Sequence, residues 1–307
     1  MKIKFIVKPI PNKKKTQEFQ KEIRKFKKEL KKKGVKIEET FTTPDGETSA
    51  RNLAKKAIEQ RFNKIIFVGG DGLLNKGVNG IMKVSGGILP PDFSIGIIPT
   101  GAGNDFTKPL KIPRDIGEAF EVIKKDKTIL VDIGKVNERF FVNVVSFGFD
   151  AKINKLANDL KEKYQFLLRK GSYLIAALKE IIIKIPLFWV RIKGDGIDFE
   201  GEVISVAVTN GSHYGAIFKI APDALVNDGK FNICFIESVG KIRAFFDIYK
   251  IIKGTHASLP EVKMFKASSL AISSQNPLPY EMDGEVLEPK KEYKISILPK
   301  TLRVLTP

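Results

Sequence analysis

Cysteine is almost absent: Cys234 is the only one in 307 residues. That excludes an internal disulfide framework and any CxxC metal knuckle. Two histidines, His213 and His256, are too few for an ordinary zinc site. No apolar run approaches the ~20 residues that a membrane-spanning helix needs, and the most apolar later stretch, Ile181 to Val190, is broken by Lys184 and Pro186. The opening MKIKFIVKPIPNKKK has too short an apolar run for a signal-peptide core and reads as a strand. The expectation is a reduced, cytoplasmic protein. Acidic residues are also outnumbered, 35 Asp+Glu against 53 Lys+Arg, for a formal charge of +18. With 43% hydrophobic residues the composition is globular, and the length suggests two domains, each able to bury its own core.

The positive charge favours a polyanion: nucleic acid, an anionic membrane surface or a phosphorylated ligand. Part of it is a solvated Lys/Glu-rich surface. Residues 11–33 carry eleven Lys/Arg against three Glu, while Phe19, Ile23, Phe26 and Leu30 recur as one stripe of a helix; the stripe must pack, which leaves the lysines outside. No RNP-like aromatic strand, zinc finger or arginine-rich tail accompanies the charge, so nucleic acid ranks behind the other partners.

The first part of the chain alternates strand and helix. Strands are expected at Lys2 to Val7, Val35 to Thr42, Lys64 to Val68 and Ser94 to Ile98, with helices over the basic segment, Ser49 to Gln60 and Leu73 to Val84. Short apolar strands separated by helices indicate a parallel sheet covered on both faces. Beyond a boundary near Lys124 to Lys127 the segments are mainly strand-like: Thr128 to Val136, Arg139 to Ser146, Phe188 to Ile192, Glu202 to Thr209, Lys230 to Ile236, Leu270 to Ser273 and Lys294 to Leu298. Two helical stretches interrupt them, Lys152 to Lys184 and Val239 to Lys253. The expected architecture is an α/β domain over residues 1–125 and a mainly β domain over 126–295, meeting across a cleft, with 296–307 as a final strand.

Two segments carry chemistry. Strand–Gly69-Gly70-Asp71-Gly72–helix removes the Cβ atoms that would block a phosphate and presents backbone amides and a helix N-terminus to it. Asp71 would repel a bare phosphate, so it makes sense on a Mg²⁺ or a hydroxyl. Pro99 to Asp105, PTGAGND, again follows a buried strand, and loops after parallel strands share the carboxyl edge where ligands bind. Asp71 and Asp105 are therefore expected to face one crevice, a nucleotide triphosphate site. Neither loop is a Walker A or a GxGxxG sequence. Glu281-Met282-Asp283-Gly284-Glu285, by itself, is a hairpin turn.

Taken together, GGDGLLNKGVNG (69–80), PTGAGNDF (99–106), VDIGKVN…FFVNVVSFGFDAKI (131–153), VTNGSHYGAIFKIAPDALVNDGKFNI (208–233) and MDGE (282–285) resemble the successive signatures of the bacterial diacylglycerol kinase-like lipid kinases, relatives of the sphingosine kinases. The resemblance spans nearly the whole chain. It implies an N-terminal α/β domain like that of NAD kinases and phosphofructokinases, and a β-sandwich-like lipid domain whose last strand returns to the first. The implied reaction moves the γ-phosphoryl group of Mg-ATP to a lipid hydroxyl, diacylglycerol giving phosphatidic acid in phospholipid biosynthesis. By the same resemblance Glu285 would be the proton acceptor, with Asp71 a further catalytic residue. The nucleotide set would be Thr43, Gly69, Gly70, Asp71, Gly72, Leu73, Asn75, Lys76, Gly101, Ala102, Asn104 and Asp105. Asp105 and Asp132 would support Mg²⁺ through an aspartate and water network. Asp228, with the Leu225 and Lys230 carbonyls, would hold a structural Mg²⁺.

The sequence departs from that pattern at Lys8, Leu73, Lys76 and Ala102. Lys76 reverses a charge beside the phosphates and Ala102 removes a hydroxyl, which keeps open a non-catalytic nucleotide-binding peripheral membrane protein; the GGDG segment, shared with NAD kinases, keeps open an NAD kinase-like small-molecule kinase. His213 reads as a turn residue, His256 as surface, Cys234 and Trp189 as core. The stretch 152–184 sets eight Lys/Arg against three acids beside Tyr164, Phe166, Leu167, Leu168, Tyr173, Leu174 and Ile175. It reads equally as a helix packed on the β domain and as a surface holding the protein on an anionic leaflet, where its lipid lies. Pairing of two copies through a sheet edge stays open.

Overall fold

Two strands buried along their whole length, Lys64–Gly69 and Ser94–Pro99, set the frame of the N-terminal half. A computed structural model describes residues 1–163 and 172–307, and they form two units: Met1–Ile133 with Leu298–Pro307, and Gly134–Ile297.

In the first unit β1 (Lys2–Val7), β2 (Lys36–Phe41), β3 (Lys64–Gly69) and β4 (Ser94–Pro99) alternate with α1 (Lys13–Lys31), α2 (Ala50–Glu59), α3 (Asp71–Ser85) and, before the next strand, α4 (Ile116–Lys125). β1 pairs parallel with β2 and β3, and β3 parallel with β4. β3 and β4 are buried throughout, as a parallel sheet covered on both faces requires. β2 ends the row and carries charge instead: Glu38 pairs with Lys4 at 3.2 Å and Glu39 with Lys27 at 2.6 Å, which protects an edge from pairing with another chain. Phe19, Ile23 and Phe26 of α1 are buried. Phe26 meets Phe5 edge-on at 5.8 Å, and Phe120 stacks on Phe5 at 6.0 Å. The apolar stripe thus faces the sheet and the lysines face out. α3 starts two residues earlier than its apolar pattern suggests, because Gly70 takes the extended N-cap conformation and Asp71 opens the first turn.

The second unit is antiparallel. Its strands are β5 (Thr128–Val136), β6 (Arg139–Phe141), β7 (Val144–Gly148), β8 (Phe188–Gly194), β9 (Ile197–Thr209), β10 (Phe231–Glu237), β11 (Val262–Ala267), β12 (Ser269–Met282) and β13 (Glu285–Leu305). β5 begins in the first unit and β13 ends there, its Val304 pairing parallel with Ile95 of β4. The row runs β11-β10-β9-β7-β12-β13, with β8 pairing both β9 and β12. One face buries Phe147, Phe231, Phe235, Tyr280 and Tyr293. The other buries apolar residues of α5 (Phe149–Lys163) and α6 (Ser172–Ile183), and half-buried apolar residues of α7 (Lys241–Lys253) pack against them.

Several expectations change. The segment Arg139 to Ser146 is two strands, because the amides of Val142, Asn143 and Val144 are taken by the Asp283 carboxylate rather than by a ladder. The strands foreseen at Leu270 to Ser273 and Lys294 to Leu298 are parts of longer ones that carry Pro277, Pro279, Pro289 and Pro299; the pairing shifts register near the first two, between Ser273 and Tyr280, where a ladder donor is missing. The stretch 152–184 contributes the C-terminal part of α5 and all of α6, and its Tyr164, Phe166, Leu167 and Leu168 lie outside the described residues. His256 is not on the surface: it is fully buried, its Nε2 lies 3.1 Å from the Ile220 carbonyl, and desolvation pushes its pKa down. Trp189 is half-buried. Cys234 is core, its thiol pushed up by burial. No described helix is long and apolar enough to cross a membrane.

Candidate functional site

Because β1 to β4 run parallel, the loops that follow them leave by the same edge of the sheet. The loops after β3 and β4 are fastened side by side: the amides of Thr100 and Gly101 both donate to the Gly69 carbonyl, at 2.9 and 3.3 Å. They approach so closely that only glycine fits. A Cβ on Gly101 would lie 2.5 Å from the Gly70 Cα, and one on Gly70 would lie 3.0 Å from the Gly101 Cα. Gly103 marks the point between the acids: a Cβ there would sit 3.1 Å from Asp71 Oδ2 and 3.2 Å from Asp105 Oδ2. Asp71 and Asp105 thus share one rim, as the order of the loops predicts.

Asn104 holds the second loop in shape. In the left-handed region at φ 50°, it accepts from the Gly101 amide at 3.1 Å and donates to the Gly101 carbonyl at 3.0 Å. Arg114 donates to the carbonyls of Ala102 and Gly103. Asp71 accepts from the Phe106 amide at 3.2 Å, and Asp105 pairs with Lys108 at 2.5 Å. Gly70, as N-cap, has no side chain to cap α3, and the Leu73 amide turns back to the Gly70 carbonyl at 3.0 Å; the positive end of the helix favours an anion there.

The other expected nucleotide residues divide. Thr43 follows β2 on the same edge; it is exposed, with its Oγ1 donating to the Asp45 carbonyl at 2.7 Å. Gly72 is exposed and Lys76 half-buried. Leu73 and Asn75 are turned inward. Leu73 packs under Gly69, where a Cβ would meet it, and Asn75 is buried and accepts from Asn79 Nδ2 at 3.2 Å. Asp132, fully buried, accepts from the Lys300 amide at 2.7 Å, which fastens the returning end of β13 to β5.

The rim suits a hard cation with a polyphosphate. It offers carboxylate oxygens, and no third His, Cys, Asp or Glu joins them in a metal-binding group among the described residues. Mg²⁺ characteristically takes one or two carboxylates and completes its shell with phosphate oxygens and water.

In the second unit Asp283 and Gly284 form the two-residue turn between β12 and β13, with φ of 48° and 89°, the geometry of a type I′ hairpin turn. Asp283 is buried and accepts from the amides of Val142, Asn143 and Val144 at 2.8, 3.0 and 2.9 Å. Glu281, fully buried, accepts from the Gly284 amide at 2.8 Å and from Ser146 Oγ and Asn154 Nδ2 at 2.9 Å each. Burial pushes its pKa up to about 8 against these hydrogen bonds. Glu285, the next residue after the turn, is half-buried at the start of β13. Sequence reasoning missed Glu281 and Asp283 as the two groups that hold this turn; two more acids within five residues was the signal available.

The same unit holds a cavity of about 110 Å³ lined by Phe149, Ile153, Ile181, Phe218, Ile248 and Ile251, with Asp150 in its wall. Burial pushes the Asp150 pKa up to about 6, opposed by the hydrogen bond Ser205 Oγ donates at 2.6 Å. Asp228, by contrast, is an exposed turn residue. Its Oδ1 accepts from the Lys230 amide at 3.1 Å and its Oδ2 pairs with Lys266 at 3.3 Å. Leu225 is exposed and the Lys230 ammonium faces Asp195 at 3.6 Å. The donor set there is thin, one carboxylate with carbonyls, and a cation would compete with the Lys266 ammonium.

Comparison with known proteins agrees with both halves. Residues 4–136 match the model of the diacylglycerol kinase catalytic domain, and residues 143–306 that of the YegS C-terminal NAD kinase beta sandwich-like domain. A diacylglycerol kinase from Staphylococcus carnosus is 32% identical over 76% of this chain and 73% of its own. One from Staphylococcus saprophyticus is 30% identical over 77% and 74%. The fold is similar to the crystal structure of a diacylglycerol kinase from Bacillus anthracis, with a TM-score of 0.79 at 24% identity over 100% of this chain and 97% of that one.

Proposed function

The chain belongs to the diacylglycerol kinase family, and from that premise we propose that it transfers the γ-phosphoryl group of ATP to a lipid hydroxyl, that of diacylglycerol, giving phosphatidic acid. The observation that carries the proposal is the pair of carboxylates, Asp71 and Asp105, both close against Gly103 at the rim of two loops that only glycine lets approach. Phosphoryl transfer asks a protein mainly for positioning and for neutralisation of charge. The N-terminus of α3 and the glycine-lined loops would receive the phosphates through backbone amides. Asp71 and Asp105 would hold a Mg²⁺, which when bound neutralises phosphate charge and orients the transferring group. Lys108, already on Asp105 at 2.5 Å, limits the charge that these acids present to phosphate.

Glu285 is assigned the hydroxyl proton. A lipid hydroxyl is a weak acid, so the base must touch it in the reacting arrangement, and a rigid turn is a suitable mount. Asp283 and Glu281 anchor that turn by backbone amides. The cavity beside Asp150, apolar along nearly all its wall, supports an acyl chain as the acceptor's other part and disfavours a nicotinamide nucleotide.

Incubation of the full chain with labelled ATP, Mg²⁺ and a panel of diacylglycerol, phosphatidylglycerol, sphingosine and NAD tests the reading. Label in phosphatidic acid is expected. Transfer to NAD alone, or nucleotide binding with no transfer to any acceptor, overturns it.

A further inference from the structure

Helix α7 is apolar on two opposite faces. Ala244, Ile248 and Ile251 line the cavity of the second unit. On the other side Ile242, Phe245, Phe246 and Tyr249 recur at i, i+3, i+4 and i+7, one stripe of a helix, and they are 79, 42, 71 and 56% exposed. A helix apolar all round is normally buried all round. The patch continues beyond α7: Lys241 Nζ donates to the carbonyls of Ile182 and Ile183 at 3.1 and 2.8 Å, bringing the end of α6 alongside, where those isoleucines are 66 and 58% exposed. Contiguous exposed apolar surface of this kind marks a docking face.

Charge indicates what docks. Along α7 Lys241, Arg243, Lys250 and Lys253 stand against Asp247 alone. Arg243 and Lys250 are occupied by Asp247 at 3.3 and 3.0 Å, and Arg243 also by Glu261. Lys253 instead lies 4.6 Å over the Tyr249 ring, a cation beside the apolar stripe. A second copy of this chain would bring a like-charged patch to meet it in a two-fold pairing. An anionic bilayer surface matches both parts: apolar and aromatic side chains for the acyl boundary, and Lys253 beside them for a lipid phosphate.

We propose that the outer face of α7, with the end of α6, docks the second unit on an anionic membrane, Ile242 and Phe246 entering the acyl boundary. The inference rests on the lipid-kinase reading for its purpose, since the inner face of the same helix walls the cavity assigned to the acyl chain, but binding needs no turnover. The test is co-sedimentation of the full chain with vesicles of phosphatidylcholine and phosphatidylglycerol in equal parts, and of phosphatidylcholine alone. Wild type is expected to bind the anionic vesicles, and less in 0.5 M than in 0.1 M salt (a ~2-fold change in screening length). The Ile242→Ser/Phe246→Ser variant, with an unchanged melting temperature, is expected to bind at least ~10-fold more weakly. Equal binding by that variant, equal binding to phosphatidylcholine alone, or a wild-type dimer that the two serines dissociate and that binds no vesicle each overturns the proposal. Turnover of a short-chain diacylglycerol dissolved as monomers is followed alongside. Its absence in wild type fails the kinase reading while leaving the vesicle result intact, and its persistence in the variant separates docking from chemistry.

Discussion

Glu281 accepts the amide proton of Gly284 at 2.8 Å, so a fully buried carboxyl grips the turn that carries Glu285. Burial sets its pKa at about 8, above the ordinary 4.5. A carboxyl with a raised folded value binds its proton more tightly in the native state, so its contribution to stability is complete below about 4.5 and declines as pH climbs to about 8. Asp150, raised from 3.8 to about 6, acts in the same direction over a lower window. Melting temperatures of wild type are therefore expected to fall between pH 6 and 8, and those of Glu281→Gln to fall less over that range. An identical slope in the two proteins removes Glu281 from this role.

Glycine is required at one position of the loops and not at another. Gly101→Ala forces a methyl within 2.5 Å of the Gly70 backbone, so the loops must part, at a cost of about 1–3 kcal/mol for overpacking. The expected result is a lower melting temperature and a KM for ATP raised about tenfold, the ~1.4 kcal/mol that a tenfold loss of binding represents. Gly72 meets nothing within 4 Å and has no positive φ, and Gly72→Ala is expected to leave the melting temperature unchanged.

Asp283 sets the turn from the opposite side. Removing its carboxylate in Asp283→Ala strands three buried amides, of Val142, Asn143 and Val144. At roughly 1 kcal/mol or more per stranded donor, denaturant unfolding should show a loss of about 3 kcal/mol. Turnover is expected to drop with it, because the residue that follows the turn is the assigned base.

These acids show what sequence could and could not reveal. Phe19, Ile23 and Phe26 mark their helix through spacing, and Lys64–Gly69 its strand through the apolar run Ile65 to Val68 followed by glycine; both are local signals. That Asp71 and Asp105 meet follows from parallel strands sharing one edge, which is also readable. The amide partners of Asp283 lie about 140 positions away in the chain, and no local pattern marks them. His256 sits two residues past a helix-ending glycine and reads as a surface residue, yet it is buried with its Nε2 against the Ile220 carbonyl. The two apolar faces of α7 are indistinguishable in sequence, because periodicity tells which residues share a side and not which side is covered.

Glu285→Gln addresses the base directly. The amide has nearly the shape of the carboxylate and Glu285 is half-buried, not in the core, so the fold and the melting temperature should be retained. Gly70, Asp71 and Asp105, the groups assigned to nucleotide and metal, are untouched in the other unit, so ATP affinity measured by calorimetry should change by less than about twofold. Loss of a positioned general base costs about 10² to 10⁴ in rate, and the loss should appear in kcat rather than in KM for ATP. Glutamine accepts no proton at any accessible pH, so the residual rate should rise with pH as hydroxide takes the base's place, while wild type shows a weaker dependence. Turnover equal to wild type would transfer the proton to another group; Asp71→Asn, measured the same way, would show whether that acid is the one that takes it.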